Sequence, residues 1–406
     1  MFECLQLVLY RQSFESMLDS VQVVQYIMNA LINVEGITNM AKINRISITG
    51  LVGILILAVV AAVLAPISVS KHLPSAAAQD AEMDTVRVGA IPLMIFAPLF
   101  VADGRGYFAE EGIQLEVQTT VGGAEPLAPL GRGELDVILG GTGAGFFNYA
   151  DRVLETDGAV PFRIVSPAHL ESPPMTTSLV VSKERFDSGE ITGVADLEGG
   201  RVSINAAGAG TEYWLYRALE AGGLTMGDVE IVPVAFGDVP AALNSGAEDR
   251  IDAAMLGEPV TSGAEAQGVI VRLSDDFLDG YQGTFVYMST DFLENQRDVA
   301  VRFMKAFLLA ARDLQDPAAW REDDIVSILG EKTLGYSADL LDLYAFPYFE
   351  ANGATSVENI EAMQDYFMES GGLAYEESLD IAGLIDATIV EDALAEIGEY
   401  ESMEAE

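Results

Sequence analysis

The chain of 406 residues is half apolar and carries 21 Lys+Arg against 63 Asp+Glu, a formal charge of −42. That length and apolar content give a globular protein with material for two buried cores. The charge excludes a nucleic-acid binder, because neutralising phosphate needs clustered cations.

At the front, the stretch 46–70 (ISITGLVGILILAVVAAVLAPISVS) holds no charged residue and is long enough to cross a bilayer. Lys42 and Arg45 precede it. Read from Met40, a basic segment leads into an apolar one, which is the layout of an export signal. Residues 1–45 are therefore an extension and basic leader, with Met40 the better start. Residues 46–70 are a signal or a transmembrane anchor, and 71–84 a linker. Ala76-Ala77-Ala78 offers a cleavage site well beyond the apolar run, and Ser68-Val69-Ser70 a closer, weaker one, so secretion and anchoring both stay open. Either way the body is extracytoplasmic, in a periplasm or at the cell surface.

From residue 85 onward short β-rich runs recur: 85–91, 113–120, 135–141, 162–167 and 178–182, then 201–206, 229–235, 251–257, 269–273 and 284–289. Helical periods separate several of them. In 211–221, for example, Trp214, Leu215, Ala218 and Leu219 share one face. Strands alternating with helices predict an α/β fold with mostly parallel sheets. After residue 290 the pattern is helical to the end, most clearly over 299–314.

One unit occurs twice. PLGRGELDVILGG and ALNSGAEDRIDAAMLGEP both run from leucine through glycine and an acidic turn to an aspartate that opens an apolar strand. Aligning Gly133 with Gly246 and Asp136 with Asp252 reads each as a glycine-capped helix end followed by a strand, and points to two similar lobes.

The strand at 135–141 empties into a small-residue loop with Gly140, Gly141, Gly143 and Gly145. The dinucleotide fingerprint requires a further glycine, but Phe146 or Asn148 stands at the sixth position. A second loop at 205–211, with Gly208 and Gly210, has Tyr213 there. Neither loop continues into the lysine of a phosphate-binding loop. What remains is one loop per lobe between a strand's C-terminal end and a helix, the edge where α/β sheets gather ligands. Helix-start N–H groups there suit an anion or a carbonyl-rich ligand. With Cys4 the single cysteine and only His72 and His169 as histidines, thiolate, Ser-His-Asp and metal chemistry are poorly supplied. An enzyme is not expected, and no cofactor or metal is assigned.

Several segments resemble periplasmic binding proteins for nitrate, sulfonates, taurine and thiamine-type pyrimidines. Pro98, Leu99 and Ala102, then Gly106-Tyr107-Phe108, then Gly112-Ile113 match that family's opening. Asp196, Leu197, Gly199, Arg201 and Val202 match a middle segment. RIDAAMLGEP and the closing DATIVEDALAEIG match two more, and together they span roughly 85 to 400. The resemblance implies a type II periplasmic-binding-protein fold, with lobe I from 85–178 and 285–400, lobe II from 179–284, and crossovers near 176–184 and 280–290. It implies a monomer that captures a small molecule and delivers it to an ABC permease and ATPase. Same-fold alternatives are a biosynthetic enzyme acting on a pyrimidine or related precursor, and a membrane-tethered ligand sensor.

By position in that pattern, Met94, Ile95 and Phe96 face the cleft after the first strand. Gly141 and Thr142 form the second wall, and Gly210, Thr211 and Tyr213 mirror it from the other lobe. Glu258 sits at a strand end, where it accepts from a ligand or caps the next helix. His169 is a cleft or hinge residue. No Arg or Lys falls on a predicted wall, while Phe96, Tyr213 and Trp214 suit an aromatic heterocycle, so the ligand's charge stays open between an anion and a neutral ring.

Overall fold

The computed structural model describes residues 83–122, 124–246 and 250–401. The predicted export segment at 46–70, the Met40 start, Cys4, His72 and most of the 71–84 linker lie outside them. No helix among the described residues is long and apolar enough to cross a membrane.

All ten predicted strands form: β1 (Asp84–Ala90), β2 (Ile113–Thr119), β3 (Val137–Gly141), β4 (Phe162–Glu171), β5 (Thr177–Ser182), β6 (Arg201–Ile204), β7 (Glu230–Pro233), β8 (Ala253–Gly257), β9 (Ile270–Ser274) and β10 (Tyr281–Ser289). They make two five-stranded sheets with one shared topology, β2-β1-β3-β10-β4 and β7-β6-β8-β5-β9. Each sheet with its helices forms a lobe. In each, β10 or β5 runs against both of its neighbours while the other strands run together. The expectation of mostly parallel sheets therefore holds for strand direction, with one exception per sheet. The reversed strands are those by which the chain enters from the other lobe.

Strand pairing puts the connections between the lobes at 172–176 and 275–280. The ranges implied by resemblance, 176–184 and 280–290, prove to hold β5 and β10, buried along their whole length. The two connections lie side by side, since Met175 N–H donates to Asp275 O at 2.8 Å and Gly280 N–H to Ser172 Oγ at 2.8 Å.

The duplicated unit marks equivalent places in the two lobes. Asp136, just before β3, accepts from Arg87 N–H at 2.8 Å and from its guanidinium at 2.9 and 2.5 Å. Asp252, just before β8, accepts from Arg201 N–H at 2.7 Å and from Arg185. Each carboxylate thus clamps its strand to the neighbour at the same point of the sheet. The proposed glycine caps are not equivalent: Gly133 has φ 68, whereas Gly246 is not left-handed.

The helices that bear on the site are α1 (Ala97–Gly104), α2 (Ala144–Asp157), α3 (Thr211–Ala221), α4 (Arg297–Asp313), α5 (Val357–Glu369) and α6 (Thr388–Ile397). Trp214, Leu215, Ala218 and Leu219 of α3 are buried as their spacing predicts. In lobe I, α4 packs between α1 and α6, and α5 lies on β10 and α2. Strands β3 and β8 read as continuous apolar runs because helices cover both faces of each sheet.

Candidate functional site

The loop from β3 to α2 and the loop from β6 to α3 stand at matching places in the two lobes, and they touch. Gly145 N–H donates to Gly208 O at 3.0 Å. A Cβ on Gly143 would lie 2.5 Å from Gly208 O and 2.8 Å from Gly210 N; one on Gly210 would strike Thr142 O, and one on Gly283 the Trp214 ring. Gly143 itself is extended at φ 173, a conformation open to any residue. Its missing side chain is required by the opposite lobe and not by its own backbone. Only Gly208 of these loop glycines is left-handed, at φ 70.

Other polar contacts also join the lobes. Met94 N–H donates to Glu258 O at 3.2 Å, and Asn205 Nδ2 donates to Val121 O at 2.9 Å. On the flank, Tyr213 stacks on Tyr281 at 5.3 Å and Tyr216 on Tyr366 at 4.5 Å. Burial, helped by the neighbouring Tyr213, drives the Tyr281 phenol far above its ordinary range. Burial also raises the Glu212 carboxyl in the first turn of α3.

Behind the interlocked loops is a cavity of about 50 Å³. Space of that size holds a few waters or a compact molecule of similar bulk. Lobe I supplies Ile91, Leu93, Ile95, Phe96, His169 and Thr284 among others, and lobe II supplies Thr177, Asn205, Thr211, Trp214 and Phe236. The wall is mostly apolar, with hydroxyls, an amide and one imidazole set into it, the make-up of a small-molecule site.

Of the residues expected at the cleft, the structure brings Phe96, Gly141, His169, Gly210 and Thr211 to this cavity, with Ile95 beside them. Thr211 Oγ1 is committed to Asn205 Oδ1 at 2.6 Å. His169 is fully buried, with Nδ1 bonded to Thr284 Oγ1 and Nε2 3.3 Å from Glu171 Oε1. The other four are placed elsewhere. Met94 is buried in the core and meets the opposite lobe through its backbone. Thr142 neither caps α2 nor lines the cavity, because its hydroxyl points to Met363 Sδ at 3.1 Å. Tyr213 belongs to the aromatic flank.

Glu258 is fully buried among protein donors. It accepts from Ser262 N–H at 3.1 Å and Oγ at 2.7 Å, from Arg272 at 2.5 Å and from Ala345 N–H at 3.1 Å. It therefore caps the following helix and ties lobe II to the 343–345 segment. Burial pulls the Arg272 guanidinium down, but Glu258 and Glu265 outweigh it and leave it raised.

Residue patterns missed Asn205, Thr177 and Thr284. Asn205 ends a predicted strand at the sheet edge where ligands gather, so its signal was present. Thr177 and Thr284 carry none, because the pairing of β5 and β10 places them at the cavity.

A model of the NMT1-like family matches residues 79–329. The periplasmic nitrate-binding protein NrtA of Synechocystis PCC 6803 superposes with a TM-score of 0.63 at 16% identity, covering 78% of this chain and 90% of that one. The alkanesulfonate-binding protein SsuA of Xanthomonas axonopodis pv. citri, bound to MOPS, gives 0.58 at 17%, covering 75% and 98%. A desulfurization enzyme, DSZB, shares the fold at 0.52 and 18%, covering 77% and 99%. The putative binding protein YtlA of Bacillus subtilis is 36% identical over 69 residues, 17% of this chain and about a fifth (21%) of that protein's length. The solved structures share an α/β fold of two sheets with this chain.

Proposed function

The chain belongs to the NMT1-like family, and from that premise we propose that it is the extracytoplasmic solute-binding component of an ABC importer. One observation carries the reading: a cavity lined by residues of two lobes of one topology, whose strand-to-helix loops interlock through glycines. The adjacent links at 172–176 and 275–280 form the hinge. Opening about them separates the loops, admits a small molecule and lets the lobes close on it. The closed form is the one presented to a permease and its ATPase, by a monomer that is secreted or held at the membrane through 46–70. The ligand classes in view are sulfonate-, taurine- or nitrate-like anions and thiamine-type pyrimidines.

The test is thermal shift and X-ray scattering of the purified chain with sulfonates, nitrate, bicarbonate, pyrimidines and flavins. A ligand at 100 Kd stabilises the closed form by about 2.7 kcal/mol. The expected result is a saturable rise in melting temperature with the ligand recovered unaltered. Absence of any shift across the panel refutes capture. A shift accompanied by turnover favours the same-fold enzyme, a role consistent with the fold of DSZB.

A further inference from the structure

The charge of the ligand can be narrowed from the cavity itself, given that the chain captures a small molecule there. Among the described residues lining the cavity there is no Lys, Arg, Asp or Glu. One helix-start amide of the interlocked loops, Gly145 N–H, is spent on Gly208 O of the other lobe. The carboxyl group beside the wall is that of Glu171, fully buried, 3.3 Å from His169 Nε2 and fixed by Thr176 N–H at 3.0 Å and Thr176 Oγ1 at 2.9 Å. An anion in this cavity finds no lysine or arginine among the described lining residues, and burying it so is costly. Two buried nitrogens on lining side chains, Trp214 Nε1 and His169 Nε2, lack a hydrogen-bond partner. An indole N–H can only donate, so an acceptor is wanted opposite it.

We propose that the cavity takes a compact, uncharged molecule bearing a hydrogen-bond acceptor. Trp214 Nε1–H and the His169 imidazole meet its polar edge, and Phe96, Ile91 and Leu93 cover its apolar body. The inference rests on the capture reading and selects within it against anions.

The test uses the full chain and probes of similar size: acetamide, pyrazole and pyrimidine as uncharged molecules; nitrate, bicarbonate and methanesulfonate as anions, each against equimolar chloride. Melting temperature and the emission of Trp214, one of two tryptophans, are read together. The expected result is a saturable response to at least one uncharged probe and none to the anions. Trp214→Phe keeps the ring but loses the donor, and weakens the uncharged probe about five- to tenfold, with its unliganded melting temperature showing that it folds. A saturable anion response on the wild-type chain overturns the inference and leaves capture standing. An uncharged response unchanged in Trp214→Phe overturns the assigned contact. No response to either set overturns capture and this inference together.

Discussion

Replacing Gly143 by alanine should hold the lobes apart. The added Cβ would sit 2.5 Å from Gly208 O, 2.8 Å from Ala209 C and 2.8 Å from Gly210 N, all of them backbone atoms that cannot rotate away. Restoring ordinary contact at 3.4 Å requires the loops to separate by about 0.9 Å, since repulsion rises steeply inside that distance. The same movement stretches Gly145 N–H···O Gly208 from 3.0 Å to about 3.9 Å, beyond hydrogen-bond reach. Overpacking of this kind costs about 1–3 kcal/mol and the lost bond about 1 kcal/mol more. A closed state destabilised by that amount lowers ligand affinity by roughly thirtyfold to nearly a thousandfold. Gly140→Ala is the internal control, because a Cβ there meets nothing within 4 Å. The assays are X-ray scattering for lobe separation and hydrogen exchange at the Gly145 amide for loop contact. The variant should scatter as a more open particle and exchange Gly145 faster, with circular dichroism unchanged. If Gly143→Ala keeps the wild-type profile and Gly145 protection, the interlock does not hold the closed form.

Removing one partner of the buried Glu258–Arg272 pair should be severe. Glu258→Ala strands Arg272, Ser262 and Ala345 N–H in the interior, at about 3–5 kcal/mol measured by denaturant melts. Retention of wild-type stability would show that water replaces the carboxylate. Asp136→Asn and Asp252→Asn should lose similar stability, each about 1–3 kcal/mol, because they occupy equivalent clamps; a much larger loss in one lobe would contradict that equivalence. Asp196 is held below the usual carboxylate range by Thr192 N–H and Oγ1 and by Gly193 N–H, and Asp324 by Arg105. A depressed folded pKa gives stability that is full above the unfolded value of about 3.9 and fades as pH falls through the folded one. Asp196→Asn should therefore shrink the acid-side loss in stability, and an identical pH profile in the variant would count against the assignment.

Much of the architecture was legible along the chain. Alternating and continuous apolar runs located all ten strands, and 3.6-residue spacing gave the buried face of α3, because both are local consequences of backbone period. The Asp136 and Asp252 units exposed the duplication, since each aspartate performs one clamp. The glycine spacing excluded a nucleotide loop. Sequence also placed Phe96, Gly141, His169, Gly210 and Thr211 at the strand ends that border the cavity, for strand ends converge on the sheet edge. The tertiary structure decided what those positions do. Glu258 proved to be a buried tie because Arg272 and Ala345, distant in sequence, fold onto it. Thr142 turned to Met363 of α5, and Thr177 and Thr284 became cavity walls through the pairing of β5 and β10 within their own sheets. Loop composition specified that Gly143 lacks a side chain; only the approach of the second lobe's backbone supplies the reason.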